Sequence, residues 1–307
     1  MTAAPGGITV SELALRTDAL KPLSSYALRN PGKEMRAHVL SSAEYVARRG
    51  RGIADTRVAI AAEAIQMTHL ATLAHDDLMD ESDQRRGLPS VPAMFGAPLA
   101  GAGGAAFLGH ALALISRCGP QAVLLASEAA LDICKGQMLE LKALYDYERT
   151  VADYMKAIEG KTGAGFRLAA ELGAIFGGAQ ASEREALAAY GEAIGVAHQI
   201  IDDVLDLTAD PMDTGKPAGV DLRNGNYTLP VIYALEERSE LMTVFRNASD
   251  TRCAIEAIRE TCAIARSVDL ATHWLRRARS AVSGLPVAHG LLAIADADEA
   301  TMEKHYA

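Results

Sequence analysis

The chain has 307 residues, of which 50% are hydrophobic and 22% charged, and its mean hydropathy is +0.07; such a composition buries a continuous core and excludes intrinsic disorder. A formal net charge of −9 excludes binding of nucleic acid or anionic lipid through a basic face, so a phosphorylated ligand would need a local cluster of cations or bound metal ions. The four cysteines, Cys118, Cys134, Cys253 and Cys262, show no CxxC spacing, which argues against a zinc site or a disulfide framework and for a reducing cytoplasm.

Along the chain, residues 1–20 carry Glu12 and Arg16 and lack the basic start and apolar run of a signal peptide. Alanine, leucine, isoleucine and glutamate then recur at helical spacing, and alternating β-branched runs are almost absent, so the chain is expected to be all-α. Residues 56–83 are apolar or small on nearly every side before turning acidic. This is the pattern of a helix inside a bundle whose C-terminal end opens on a polar cavity. The stretch 88–116 has no charged residue, but three prolines and five glycines interrupt it; it is expected to be a loop followed by a buried helix and not a membrane span. Residues 184–207 repeat the first design, an alanine-rich helix with an acidic end. Breaks rich in Gly, Pro or Asp fall at 5–7, 87–98, 209–230 and 283–290, and none has the composition of a linker. The whole of 1–307 is therefore read as one domain of about ten helices around a central cavity, with long functional loops after the two acidic clusters.

Those clusters carry the chemistry. The first is His75-Asp76-Asp77-Leu78-Met79-Asp80-Glu81, followed by Arg85-Arg86-Gly87. Asp76 and Asp80 project from one helix face a turn apart, with Asp77 about 100° round from Asp76. Alone, such a run is usually a solvated helix end. The second cluster, Gln199-Ile200-Ile201-Asp202-Asp203-Val204-Leu205-Asp206, repeats the Asp-Asp-x-x-Asp spacing at the end of another apolar helix. Carboxylates gathered in a partly buried site repel one another unless divalent cations sit among them, and an all-oxygen ligand set suits magnesium or manganese. Magnesium takes one or two carboxylates plus substrate phosphate oxygens, so two clusters across a cavity can clamp a diphosphate.

At these residues the sequence resembles the trans-polyprenyl diphosphate synthases, the head-to-tail isoprenyl chain elongators, over roughly 31–235. Gly32-Lys33-Glu34-Met35-Arg36, His69, the run Asp76 to Arg86, Gly136-Gln137-Met138-Leu139-Glu140-Leu141, Lys161-Thr162, the run Gln199 to Asp206, Gly215-Lys216-Pro217 and Asp221-Leu222 match the family's elements in order. The resemblance implies an isoprenoid synthase-like helical fold, a homodimer, and two substrates, isopentenyl diphosphate and an allylic diphosphate. It also implies about three magnesium ions per active site, replaceable by manganese. The metal ligands it points to are Asp76, Asp77, Asp80, Asp202, Asp203 and Asp206. Arg85, Lys161 and Lys216 would help to neutralise the departing diphosphate, and Thr162 and Gln199 would offer oxygen dipoles to the allylic cation. Lys33, Arg36, His69, Arg86 and Gln137 fall on positions that bind substrate, the first four holding the diphosphate of isopentenyl diphosphate without metal. No side-chain base is needed, because the bound diphosphate can take the proton.

Three positions depart from the pattern. Asn226 stands where many members have lysine, Glu140 replaces an aspartate, and Ala105 occupies a place where aspartate usually follows glycine. A class I terpene cyclase is the nearest rival reading, but its second metal motif is normally of Asn/Ser/Glu type and its cavity richer in rings than a chain with 5% aromatic residues suggests. A catalytically silent regulatory subunit is the other rival, and such subunits typically lose an aspartate motif. The resemblance further places the growing chain along the helix before Asp76, with Ala71 and Thr72 as the upper floor of its pocket and Thr68 and Ala64 below. None is aromatic, so a product of twenty carbons or more is expected, geranylgeranyl diphosphate first and a longer chain second. Phe107, Met67 or a residue of the second subunit could close the bottom.

Overall fold

The computed structural model describes residues 21–29, 32–209, 218–247 and 251–306. The architecture is the expected all-α bundle: α1 Lys21–Ala27, α2 Met35–Ala47, α3 Thr56–Met79, a hairpin of β1 Gln84–Arg85 and β2 Leu88–Pro89, α4 Val91–Phe95, α5 Ala97–Ile115, α6 Pro120–Lys142, α7 Val151–Ile158, α8 Ala164–Phe176, α9 Ala181–Thr208, α10 Val220–Arg223, α11 Leu229–Glu237, α12 Leu241–Asn247, α13 Thr251–Arg259, α14 Ala263–Val282 and α15 His289–Tyr306. The loops expected at 87–98 and 209–230 carry the short helices α4 and α10. The break expected at 5–7 lies outside the described residues.

Local chemistry sets the ends of the long helices. Asp55 caps α3 by accepting the Arg57 backbone N–H at 2.8 Å. Helix α3 stops at Met79, so Asp80 is its C-cap and the acidic cluster lies on its last turn. Helix α9 runs through the middle of the bundle, burying Leu187, Ile194, Ala197, Ile200 and Ile201. Its close approach to α8 depends on Gly191, where a Cβ would come within 2.5 Å of the Phe166 carbonyl oxygen. One core cluster extends from Leu23 to Met302, and a second, smaller one joins the end of α9 to α11 and α13.

The stretch 88–116 differs from expectation. Ala97–Cys118 is long and apolar enough to cross a membrane by length and composition. Helix α5 lies along α3 instead, with Gly101 against Leu78 and Gly104 against His75. Only one of its faces is buried: Leu99, Leu108 and Leu112 are 58%, 41% and 57% exposed. The next helix, α6, exposes Leu124, Leu131 and Met138 at seven-residue intervals, by 59%, 72% and 56%, a single stripe along its surface.

Candidate functional site

Residues Ile65, Thr68, His69, Thr72 and Asp76 fall on one face of α3. The first four line a cavity closed on other sides by Arg36 of α2, Ile133 of α6 and Leu168 of α8. Above it, the three aspartates of the first cluster are used differently. Asp77 is buried, and its Oδ1 accepts from Arg85 Nε at 2.7 Å with Nη2 at 2.6 Å. Asp76 and Asp80 are partly buried. Burial raises the Asp76 carboxyl above its ordinary range, with Glu140 adding to the rise and Lys161 opposing it. Burial pushes Asp80 up to about 6, and Asp76, Glu140 and Asp221 add to the rise against Lys161.

The second cluster repeats the division. Asp203, on α9, is buried: its Oδ2 accepts from the Tyr154 hydroxyl at 2.5 Å and its Oδ1 from Gln199 Nε2 at 2.9 Å. The Gln199 carbonyl oxygen accepts from Thr162 Oγ1 at 2.7 Å, so Thr162, Gln199, Asp203 and Tyr154 form one hydrogen-bonded chain. Burial and the nearby Asp221 push the Asp203 carboxyl well up, while these hydrogen bonds pull it down. Asp206 accepts from the backbone N–H groups of Val220 and Asp221 at 3.3 and 3.4 Å and so holds the start of α10. Asp202 is exposed. Asn224 Nδ2, just past α10, donates to the Asp80 carbonyl at 3.3 Å and ties the two acidic helix ends together.

Between α7 and α8 the helix widens into a π-turn, Glu159–Gly163, which contains Lys161 and Thr162. Gly136 lets α6 pack directly onto this turn. A Cβ there would sit 2.5 Å from the Ala157 carbonyl oxygen and collide with the Lys161 nitrogen. One turn along α6, Glu140 Oε1 lies 2.5 Å from Lys161 Nζ. Burial alone would lower the lysine's affinity for its proton, but Glu140, Asp76 and Asp80 outweigh it and keep Lys161 cationic. The buried Gln137 amide has no hydrogen-bond partner at either end, which suits it to a ligand or water.

Cations gather on the other side of His69. Arg86 occupies the hairpin turn, where Arg86 and Gly87 both have positive φ, 52° and 75°, as a two-residue turn of this hand requires. Gly32 lies against the Arg86 guanidinium so closely that a Cβ there would collide with it. Lys33 is exposed alongside. The Arg36 guanidinium stacks 4.7 Å from the Phe166 ring centroid. Burial brings Arg36 down to about 10, with Asp202 and Asp76 raising it and Arg86 lowering it. Burial, then Arg36, Arg86 and Arg85, push His69 well below the usual histidine value, so it is a neutral imidazole.

Thr68 and Thr72 thus line the cavity, while Ala71 and Ala64, expected at the floor of the same pocket, are buried in the core, as are Phe107 and Met67. Lys216 lies outside the described residues. At Asn226 the side chain accepts from buried Arg149 Nη1 at 3.0 Å. Among the described residues no three His, Cys, Asp or Glu side chains converge tightly enough to hold a metal ion unaided. A magnesium ion here would need phosphate oxygens to complete its shell, and the raised carboxyls of Asp76 and Asp80 fit such an arrangement. Sequence reasoning missed Tyr154, whose partner Asp203 is distant in the chain, and it matched Asp221 to the motif without a role, though the Asp221 charge reaches both acidic ends.

Residues 17–263 match the family model described as polyprenyl synthetase. A curated relative from Mycobacterium tuberculosis, a nonaprenyl diphosphate synthase, is 34% identical over 81% of this chain and 76% of its own. Component 2 of heptaprenyl diphosphate synthase from Bacillus subtilis is 32% identical over 75% of this chain and 68% of its own. The crystal structure of a polyprenyl synthase from Caulobacter crescentus, complexed with calcium and isoprenyl diphosphate, superposes with a TM-score of 0.82 at 26% identity, covering 97% of this chain and 99% of that one.

Proposed function

This chain belongs to the polyprenyl synthetase family and is a prenyltransferase, and on that premise we propose that it condenses isopentenyl diphosphate with an allylic diphosphate and elongates the allylic chain head to tail. The observation that carries this reading is that Arg36, beside neutral His69 on the cavity wall, is within electrostatic reach of both acidic helix ends, through Asp76 and Asp202. One pocket therefore offers an acidic rim suited to metal-bound diphosphate and a cationic wall suited to a metal-free one. Two sites are needed because the substrates share a headgroup and play opposite roles.

In this reading Asp76, Asp80 and Asp202 hold magnesium, which when bound supplies the Lewis acidity that neutralises a departing diphosphate. Asp77, Asp203 and Asp206 are anchors: they fix Arg85, the Tyr154–Gln199 chain and the start of α10. Lys161, oriented by Glu140, and Lys216 add charge on the allylic side. The C–O bond to the allylic diphosphate breaks, the double bond of isopentenyl diphosphate attacks the allylic carbon, and the released diphosphate takes the proton. The Gln199 carbonyl oxygen has a second lone pair for the cation, and the apolar wall of Ile65, Ile133 and Leu168 keeps water away. The direct test is incorporation of labelled isopentenyl diphosphate by the isolated protein with magnesium; no incorporation with any allylic primer overturns the reading in favour of a silent subunit, and cyclised products from one diphosphate favour a cyclase.

The second diphosphate has its own test. Removing a charge-assisted contact costs about 1.5–3 kcal/mol, so Arg86→Ala is expected to raise KM for isopentenyl diphosphate roughly ten- to a hundredfold while leaving the allylic KM nearly unchanged. Equal increases for both substrates would remove Arg86 from this role.

The exposed leucines of α5 and α6 support a homodimer. Leu108, Leu112, Leu124, Leu131 and Met138 leave large apolar side chains in solvent on consecutive helices, a surface suited to burial against a second copy. Leu131→Arg is expected to convert a dimer into a monomer in sedimentation velocity. A wild type already monomeric would point instead to a different partner chain, as for the two-component Bacillus relative. The four unpaired cysteines, three of them exposed, suit the reducing cytoplasm.

A further inference from the structure

The last helix, α15, lies beyond the stretch that matches the family model, yet one of its carboxylates holds a histidine that borders the acidic rim. Asp298 is 3% exposed. Its two carboxylate oxygens lie 3.2 and 3.3 Å from His198 Nδ1 on α9. The opposite nitrogen of the same ring, Nε2, lies 3.8 Å from Asp202 Oδ2. A buried carboxylate on Nδ1 fixes the direction of the ring, so its Nε2 edge is held toward Asp202. The ring is also wedged from the side: Phe166, which carries Arg36 on its face, lies 5.7 Å from it, centroid to centroid. Asp202 is the exposed member of its cluster and, among the described residues, has no hydrogen-bonded anchor like those of Asp203 and Asp206.

We infer that Asp298 and His198 position the Asp202 carboxylate, which makes the C-terminal helix part of the diphosphate site. The inference rests on the proposed function, because it assigns Asp202 to metal-bound diphosphate. Asp298 and His198 are positioning residues here, acting through Asp202. A carboxylate on an exposed last turn samples several rotamers, and an imidazole held beside it narrows them to the one that faces the cavity.

The test uses magnesium with inorganic pyrophosphate as the probe and reads thermal stabilisation of the full chain across a magnesium titration at fixed pyrophosphate. Asp298→Asn keeps the volume and removes the charge, and His198→Phe keeps a ring and removes both nitrogens. Each is expected to raise the magnesium concentration at half-stabilisation by about tenfold, the size of effect typical when an outer partner of a metal ligand is lost. Tyr190→Phe is the control for mere loosening of α15. It deletes the hydrogen bond from the Tyr190 hydroxyl to the Leu291 carbonyl at 2.6 Å, and is expected to lower the metal-free Tm without moving the magnesium midpoint. Wild-type midpoints in both Asp298→Asn and His198→Phe, with or without a lower metal-free Tm, would overturn the inference and leave the pair as a brace for α15. A midpoint shift in Tyr190→Phe equal to theirs would overturn it too. Absence of any stabilisation of the wild type would overturn the proposed function itself, and this inference with it.

Discussion

Asp76→Ala and Asp202→Ala are each expected to cut turnover a hundredfold to a thousandfold at saturating magnesium, as measured by initial rates of isopentenyl diphosphate incorporation. The magnitude follows from what each carboxylate is proposed to do. An oriented electrostatic contact that strengthens as charge develops on the departing diphosphate contributes about 3–4 kcal/mol to the transition state. Neither side chain is bound into the fold as its neighbour is. Asp202 is exposed, and Asp76 is a half-buried carboxyl whose proton affinity is raised by burial, so truncating either should leave the metal-free Tm close to wild type. Asp77→Ala provides the contrast, since it strands the Arg85 guanidinium beside a buried gap and is expected to lower Tm. Near-wild-type rates in Asp76→Ala or Asp202→Ala would remove that helix end from the mechanism.

This division within each cluster marks the limit of what the sequence makes legible. Two Asp-Asp-x-x-Asp runs at the ends of apolar helices were readable because spacing alone puts carboxylates on one face and apolar content alone buries the helix behind them. Which aspartate stays at the rim is decided by partners that spacing does not announce. Arg85 is close enough in sequence to belong to the same motif as Asp77, but Tyr154 reaches Asp203 from a different helix, and Asp298 reaches His198 from the last one. The same holds for helix α5. Its lack of charge suggested burial within the chain, yet composition cannot distinguish a face buried by its own fold from one offered to a second copy, and Leu108 and Leu112 are the second kind of residue in the proposed dimer. At Asn226, the missing lysine was visible in the sequence, but the buried Arg149 that pairs with the asparagine was not.

Product length is expected to change most at Thr72. It lies four residues before Asp76 on the cavity wall, and its hydroxyl is turned back on its own helix, donating to the His69 carbonyl at 2.8 Å; Thr68 does the same to Ala64 at 3.0 Å. With their hydroxyls satisfied, both threonines add little polarity to a wall continued by Ile65, Ile133 and Leu168, and no Phe, Tyr or Trp lines it. A wall of this kind offers no ring to stop the chain, in keeping with the sequence expectation of a product of twenty carbons or more. A phenylalanine at 72 would add about the volume of one isoprene unit inside open space, so Thr72→Phe should shorten the main product, with activity retained, as read by chromatography of the dephosphorylated alcohols. Ala71→Phe is a different experiment, because Ala71 has no exposed surface and a ring there must displace packed neighbours at about 1–3 kcal/mol. It is expected to lower Tm and to shorten the product less than Thr72→Phe does. The reverse order, with Ala71→Phe giving the shorter product, would show that the growing chain runs along the Ala71 side of α3, between that helix and its packed neighbours, and not past Thr72 and Thr68.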